Sequence, residues 1–302
     1  MKMMFLLFSE CAQELTKYLE KQNEPVLELE LKELFSLFTS DVIGSVAFGL
    51  HYNSFEDKNN EFYLMGKRIL DIKGLRMLLF SLYQMLPTFT KVFRLSLFAQ
   101  SAVNFFYRIV KETITRREEE GFVRIDMIHL LLQARKGNDV QELEDTVDTG
   151  FATVEEHKMH YTGRKRNLTL TDEDIAAQAL IFFFAGFDMS ATLISFTAYE
   201  LAINSDVQDR LQNEIDNTIS NCQGKLTYEA LHKMKYMDMV VSASRFALME
   251  NKTLIFHLLS KFDIIPIKKT QIPLNFGKGM LNLGPTEGFW LGLRQRKVHN
   301  IS

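Results

Sequence analysis

The sequence predicts a mainly α-helical fold with short β-strands near its C-terminal end, and three observations support this. Apolar residues recur at steps of three and four, as at Met4, Leu7 and Cys11, which is the spacing of one helix face. Residues 262–267 and 289–293 alternate or cluster apolar side chains between glycine-containing turns, as short strands do. Hydrophobic residues make up 46% and charged residues 24% of the 302 positions, which is typical of a globular protein and excludes wholesale disorder.

The first half of the chain contains helices with recognisable ends. A helix over 31–48 ends at Gly49, because glycine tolerates the left-handed conformation of a C-cap. A second helix over 61–85 stops before Pro87, since proline disfavours helix in the residue before it. The first residues, 1–8, have one lysine and a short apolar stretch. They predict the start of an amphipathic helix rather than a signal sequence.

Two more helices follow in the middle of the chain. The segment 105–120 has a charged face and ends at Gly121. The segment 126–135 follows, with Asp126 as its N-cap. The second of these helices stops at Gly137.

Residues 138–166 form a polar stretch with almost no apolar periodicity, which predicts a flexible internal loop. A metal site is the alternative, since imidazoles three residues apart share a helix face. A solvated loop is the favoured interpretation because the stretch lacks a helical pattern. The metal candidates are Glu155, Glu156, His157 and His160.

The most informative helix begins at Thr171, a predicted N-cap with Asp174 completing a variant of the capping box. Residues 175–203 are apolar almost all round, which is typical of a helix inside a protein. The longest apolar run, 175–187, suits such a buried helix better than a transmembrane one. A carboxylate at Asp188 inside this helix requires a partner, because an unpaired buried charge is costly.

The sequence Ala185-Gly186-Phe187-Asp188 allows two interpretations. A small Ala–Gly pair lets a flat or bulky group lie against the helix, and the carboxyl of Asp188 with the hydroxyl of Ser190 could relay protons. The alternative is a helix kink whose polar groups are satisfied internally. The pattern alone leaves both open.

Further along, an amphipathic helix includes Val207, Leu211 and Ile215, and Thr227 caps a helix through residues 231–240. The glycine-rich patch at 276–284 lacks a strand-then-helix context, so it predicts turns rather than a phosphate cradle.

Charge and cysteine content exclude several classes. Net charge is −3 with a pI near 6.2, which does not suit a nucleic-acid-binding surface. The two cysteines, Cys11 and Cys222, cannot form a disulfide scaffold or a cysteine-rich zinc site, and they favour a reducing compartment.

Residues 185–188 resemble the central helix of cytochromes P450, in particular the insect microsomal type. Other segments resemble the same family along essentially the whole chain. They are Ala47-Phe48-Gly49, residues 126–137, Tyr236 to Ser242, and Ser244 to Glu250. The resemblance implies one P450-like helical domain over residues 1–302, incomplete in parts.

The resemblance implies a heme-thiolate monooxygenase that inserts one atom of O2 into a lipophilic substrate. Electrons would come from NADPH through cytochrome P450 reductase, and the location would be the cytosolic face of the endoplasmic reticulum membrane. Ala185 and Gly186 would then form the heme face of the central helix. Asp188 and Ser190 would deliver protons, with Met189 in place of the family's threonine, and methionine has no proton to give.

The chain departs from the family pattern between Ser242 and Ala243. It passes from the approach to the Glu-x-x-Arg motif directly to the helix after the heme-ligating cysteine. Ala243 and Ala247 match the last small positions of the heme loop, while the axial cysteine is missing, so no metal ligand is predicted. We therefore expect no thiolate-ligated heme.

The departures also affect location and stability. The family's membrane anchor is not recognised before residue 1, which makes a cytoplasmic location the alternative. A heme space left empty predicts exposed apolar surface, a poorly paired Asp188 and low solubility. The alternative function is that of a non-catalytic helical remnant that binds a protein partner.

Overall fold

The structure is a computed structural model that describes most of the chain. The described residues are 2–71, 75–86, 88, 97–121, 124, 126–135, 170–241, 245–276 and 284–296. The predicted loop at 138–166, with its four metal candidates, lies outside the described residues, as does Ala243.

Helices dominate the described part of the chain, as the sequence predicts. They are α1 (Lys2–Glu20), α2 (Leu31–Phe48), α3 (Glu61–Leu70), α4 (Leu75–Met85), α5 (Gln100–Glu120), α6 (Met127–Arg135), α7 (Asp172–Phe184), α8 (Ser190–Ile203), α9 (Ser205–Asn221), α10 (Tyr228–His232), α11 (Lys235–Val240) and α12 (Arg245–Lys261). A π-helical segment, Ala185–Met189, joins α7 to α8, and these three together form the central helix.

Three short strands make one antiparallel sheet of order β1-β3-β2, where β1 is Leu27–Glu30, β2 is Phe262–Ile265 and β3 is Trp290–Gln295. The two strands near the C-terminal end are confirmed within two residues of their predicted limits. Strand β1 was not predicted, although its sequence Leu-Glu-Leu-Glu alternates apolar and charged residues. Four residues are too few for alternation to be a distinct signal.

Glu30 links this sheet to α2. One oxygen of its carboxylate accepts a 2.7 Å hydrogen bond from the backbone N–H of Glu33, in the first turn of α2. The other oxygen accepts a 2.8 Å hydrogen bond from the N–H of Phe289, just before β3. The same side chain therefore caps the helix and holds the sheet against it.

Most predicted helix ends are confirmed. Gly49 and Gly121 both adopt positive φ, at 70° and 63°, after the last residue of their helices. Asp126 accepts a 3.0 Å hydrogen bond from the N–H of His129, as an N-cap does. Thr171 and Asp174 form the predicted capping box.

Two predicted helices are each divided in the structure. The helix expected over 61–85 ends at Leu70, because Asp71 has the non-helical angles φ −75° and ψ 78°, and a helix begins again at Leu75. The helix expected through 231–240 consists of α10 and α11, because Met234 between them is extended.

The core is built around α2, in which every residue from 34 to 48 is buried. This helix packs against the central helix, α1 and α3, while α1 packs against α12. A cluster of phenylalanine rings joins α2, α3, α5 and α7 with centroid separations of 4.6 to 6.3 Å, and its members are Phe48, Phe62, Phe106 and Phe183. Many of the 25 phenylalanines in the sequence therefore contribute to the core.

Candidate functional site

The centre of the candidate site is the π-helical segment of the central helix. A π turn inserts an extra residue and disturbs the regular backbone hydrogen bonds, and such turns are frequent at functional sites. The hydroxyl of Thr39, on α2, donates a 2.8 Å hydrogen bond to the carbonyl oxygen of Phe187. Both residues are buried, and the same carbonyl also accepts the backbone N–H of Ser190, so the Thr39 hydroxyl adds a second hydrogen bond that ties α2 to the turn. The role of Thr39 could not be predicted from the sequence, because its partner Phe187 lies 148 positions away.

Gly186 faces α2. A Cβ atom at this position would lie 2.6 Å from Cδ1 of Ile43, which is closer than two carbon atoms tolerate. The glycine is therefore required for the close approach of α2 to the π segment. Gly186 is buried on this side of the helix, and it does not share the exposed side with Ala185.

The other side of the central helix presents an exposed apolar face, which we define as Ile181, Phe182, Ala185 and Met189. Ile181 is 59%, Phe182 50% and Met189 57% exposed, and Ala185 is exposed as well. These residues recur at helical spacing, so they lie along one stripe. Contiguous exposed apolar residues of this kind indicate a binding surface. The predicted exposure of apolar surface is thus present.

Asp188 is paired. Its Oδ1 atom lies 3.2 Å from Nζ of Lys32, on α2, and both side chains are partly exposed. The expectation of a poorly paired Asp188 is therefore wrong, because α2 brings a lysine to the carboxylate. The more general expectation that this carboxylate requires a partner is confirmed.

Ser190 points to a different neighbour. Its buried hydroxyl faces the carboxyl group of Glu250, on α12, without a hydrogen bond of good geometry between them. Glu250 is fully buried, and burial raises its pKa to about 8, while the nearby Ser190 hydroxyl offsets part of that rise. Glu250 is therefore largely uncharged at pH 7. The structure places the side chains of Asp188 and Ser190 against α2 and α12 respectively, so it does not bring them together.

Charged side chains connect α12, α11 and α9. The buried Lys252 pairs with the buried Asp238 of α11. Burial lowers the pKa of Lys252 to about 8, and the nearby Glu214 offsets part of this. Glu214 also accepts hydrogen bonds of 3.0 and 2.8 Å from the N–H groups of Tyr236 and Met237. Ala247, the predicted remnant of the heme loop, is half-buried on α12.

Neither cysteine belongs to the central helix. Cys11 is buried in α1, and its pKa lies well above the usual value, first because of burial and then because of Asp41 and other carboxylates. It is therefore a neutral thiol and a poor metal ligand. Cys222 lies at the C-cap of α9. No group of three or more metal-binding side chains occurs in the parts of the chain that the structure describes.

A family model described as Cytochrome P450 matches residues 1–242 of the chain. The chain belongs to the cytochrome P450 family. The match ends at Ser242, next to the expected departure from the family pattern between Ser242 and Ala243. Because the family implies a heme-thiolate monooxygenase, heme is the cofactor against which the site should be compared.

Individual relatives agree with this assignment. Cytochrome P450 9e2 of Blattella germanica is 32% identical over 396 residues, covering 98% of this chain and 72% of the relative. Probable cytochrome P450 9f2 of Drosophila melanogaster is 31% identical, covering 98% and 71%. Cytochrome P450 9c1 of the same fly is 36% identical over 245 residues, covering 80% and 44%. The first alignment is longer than the 302 residues of the chain, so this relative has aligned positions without a counterpart here.

The central helix is also long and apolar enough to cross a membrane, judged by length and composition within the described residues. Half of its most apolar window is buried inside the fold, which is typical of a core helix in a globular protein.

The exposed apolar face is the part of this site that can be compared with the requirements of a heme group. The exposed apolar face offers an apolar surface in which a small residue, Ala185, lies among larger side chains. A heme-thiolate centre also needs an axial thiolate; Cys11 is buried in α1 and Cys222 lies at the C-cap of α9. The described residues therefore supply an apolar surface for a ring but do not complete a heme-thiolate site.

Proposed function

We propose that these 302 residues are a partial heme-thiolate monooxygenase that keeps the distal, oxygen-facing side of the P450 site and does not form the thiolate-ligated heme. The observation that carries this proposal is the exposed apolar face of the central helix, combined with the positions of both cysteines away from that helix. The parent activity is insertion of one oxygen atom from O2 into a lipophilic substrate.

Support for the retained distal side comes from the central helix. Ala185 and Met189 lie four residues apart on the same exposed side, so a flat ring packed there would contact both. Gly186 contributes from the opposite side by letting α2 approach the π segment. Thr39 then holds that segment in shape. These residues would orient the ring and exclude water from one side of it.

Three observations support the proposal that the chain does not form the axial thiolate ligand. The family match ends at Ser242, the relative from Blattella has additional aligned positions, and Cys11 is a buried neutral thiol. When a heme is bound through a thiolate, that ligand supplies the electron density that favours O–O cleavage. Without it, we propose that the chain does not carry out the parent reaction.

We also propose the roles of the remaining site residues. Asp188, held by Lys32, would place a charge beside the heme face, and Ser190 would hold a proton against Glu250. Ala243 and Ala247 would be remnants of the heme loop. The partners would be those usual for the family, a lipophilic small molecule and NADPH–cytochrome P450 reductase, at the cytosolic face of the endoplasmic reticulum membrane.

The test is spectroscopic. We expect that the purified chain, mixed with hemin, reduced and treated with CO, does not give the red-shifted Soret band of a thiolate-ligated heme. A red-shifted band that disappears in Cys11→Ser or Cys222→Ser would overturn the missing-ligand proposal, because one of these cysteines would then be the ligand.

A matched pair of variants tests the heme face itself. Ile181 and Leu6 are 59% and 57% exposed, on the central helix and on α1 respectively. We expect Ile181→Ser to weaken hemin binding and Leu6→Ser to leave it unchanged, measured by absorbance titration. Equal effects of the two substitutions would show that hemin binds apolar surface without preference for this face.

A further inference from the structure

Helix α12 contacts α1 at both of its ends. The rings of Phe8 and Phe246 lie 5.3 Å apart near the start of α12. At the other end, Nζ of Lys261 lies 3.4 Å from a carboxylate oxygen of Glu20. Between these two contacts, the interface contains two buried side chains that can lose a proton.

These side chains are the thiol of Cys11, on α1, and the carboxyl group of Glu250, on α12. Cys11 is 6% and Glu250 0% exposed. Neither carboxyl oxygen of Glu250 makes a hydrogen bond of good geometry, although the buried hydroxyl of Ser190 faces the group. Cys11 and Glu250 are close enough for the charge of Glu250 to raise the pKa of the thiol. An ionised Glu250 would therefore lack the partners that a buried charge requires.

We propose that Glu250 is a pH-sensitive switch: when its carboxyl group ionises, α12 separates from α1 and the Cys11 thiol becomes reactive toward disulfides. The neutral carboxyl group can stay in the apolar interface, whereas the carboxylate is stabilised by water and reaches it only if α12 moves. Burial raises the pKa of Glu250 from 4.5 to about 8 in the closed form. The closed form therefore holds the additional proton, and opening becomes more favourable as pH rises toward 8.

Other carboxylates near these two side chains have the same sign of charge. Asp41 on α2 and both Glu14 and Glu10 on α1 raise the pKa of Cys11. Burial raises the pKa of Asp41 itself to about 7. Negative charge on these groups disfavours a thiolate or a second carboxylate in the closed interface.

Cationic side chains of α12 are engaged with other partners. Lys252 pairs with Asp238 of α11. His257 contacts the hydroxyl of Ser9 at 2.9 Å, and burial lowers its pKa to about 4, so it is neutral at pH 7. These two side chains therefore do not compensate a charge on Glu250. Charged groups on neighbouring elements also have partners, and they are Asp188 with Lys32, Asp263 with Arg294, Glu20 with Lys261, and Glu214 with the N–H groups of Tyr236 and Met237.

The test measures how fast Cys11 reacts with 4,4′-dithiodipyridine, followed by absorbance. A Cys222→Ser chain is used, because Cys11 is then its single cysteine. The Cys11 sulfur forms a disulfide with one half of the reagent, the S–S bond of the reagent breaks, and the other half leaves with the thiol proton. The rate is measured at pH 7 and 8 in this chain and in one that also carries Glu250→Gln, which keeps the shape of a protonated glutamic acid.

Between pH 7 and 8, we expect the rate to rise about fivefold more with Glu250 than with Gln at this position. The factor follows from a pKa of about 8 in the closed form and 4.5 in the open form. The growing thiolate fraction and the titration of Lys252 act on both chains alike. An equal rise in the two chains overturns the proposal.

Glu10→Gln is the matched control. Glu10 is exposed and also raises the pKa of Cys11, so this change alters charge near the thiol and leaves Glu250 in place. We expect the rate to rise with pH as steeply as in the Cys222→Ser chain. If Glu10→Gln reduces the pH dependence as much as Glu250→Gln does, the effect is one of surface charge, and the proposal is overturned.

Hydrogen–deuterium exchange of the unmodified chain locates the opening and needs no variant. At pH 8, after correction for the chemical exchange rate, we expect the amides of α12 (Arg245–Lys261) to be less protected than those of α2 (Leu31–Phe48). Equal protection of the two helices would mean that α12 opens only when the whole fold unfolds, which overturns the local switch.

Discussion

The hydroxyl of Thr39 donates a 2.8 Å hydrogen bond to the carbonyl oxygen of Phe187, which ties α2 to the π segment of the central helix. The bond joins two buried positions, so it is made in a region from which water is excluded. The shape of the candidate site therefore depends on a side chain that lies far from it in sequence.

Replacement of Thr39 by valine should destabilise the fold. The change keeps the branched shape but removes one of two hydrogen bonds to the buried carbonyl of Phe187, which still accepts the backbone N–H of Ser190, so we expect a loss of about 0.5–1.5 kcal/mol. Urea unfolding would measure the loss. The control is Thr218→Val, since the hydroxyl of Thr218 bonds only to Glu214 within its own helix. Equal losses for the two variants would contradict a special role for Thr39.

Replacement of Gly186 by alanine should also destabilise the fold, because the new Cβ would lie 2.6 Å from Ile43. Overpacking of this kind costs about 1–3 kcal/mol. The second change Ile43→Val should restore part of the loss by removing the Cδ1 atom. Gly44→Ala is the control, because its Cβ would lie 3.4 Å from the nearest atom. The free energies of unfolding are measured with urea. If the losses of the two single variants simply add in the double variant, the contact between position 186 and Ile43 does not cause the destabilisation.

The stability of the fold should decrease between pH 7 and 8 because of Glu250. Its pKa is about 8 in the fold and 4.5 in the unfolded chain. In this interval the folded state holds more protons, so stability falls as pH rises, by at most about 1.4 kcal/mol per pH unit. The raised pKa of Asp41, about 7, acts mainly below this interval, and the lowered pKa of Lys252, about 8, acts mainly above it.

Glu250→Gln removes the titrating group and should therefore reduce the change in the free energy of unfolding between pH 7 and 8. The measurement is urea unfolding at several pH values from 7 to 8. If the free energy of unfolding falls with pH as steeply in the variant as in the unmodified chain, the pH dependence comes from another residue. His257, whose pKa is lowered to about 4, works in the opposite direction only below its unfolded value of 6.5, so it does not mask the effect.

The ion pair between Lys32 and Asp188 should contribute only modestly to stability. Both side chains are partly exposed, and pairs of this kind contribute about 0.2–1 kcal/mol. A double-mutant cycle with Lys32→Met and Asp188→Asn would isolate the interaction. A coupling energy well above this range would mean that the pair is shielded from water, and a coupling near zero would mean that Asp188 does not need Lys32.

Local features of the fold could be predicted from sequence, and long-range features could not. The capping box at Thr171 and the C-caps at Gly49 and Gly121 were found because their signals lie within a few residues. The apolar pattern of residues 175–203 predicts a helix inside the protein; the structure buries one side of it and exposes Ile181, Phe182, Ala185 and Met189 on another. The break after Leu70 was missed, because helical periodicity continues in the sequence on both sides of it.

In the candidate site, too, local features could be predicted from the sequence and long-range contacts could not. The Ala185–Asp188 motif was recognised, but the side on which each residue lies depends on packing. Gly186 faces Ile43, Ser190 faces Glu250, and Asp188 faces Lys32. Each of these partners is at least sixty positions away, and no local pattern could assign them.

The double role of Glu30 has a consequence for biosynthesis. Its carboxylate accepts hydrogen bonds from Glu33 and from Phe289, and strand β1 pairs with β3. A ribosome must therefore synthesise nearly all of this chain before the first turn of α2 gains its second anchor. Nascent chains that stop before residue 289 would leave β1 without its partner strand, open to pairing with other chains and a target for chaperones.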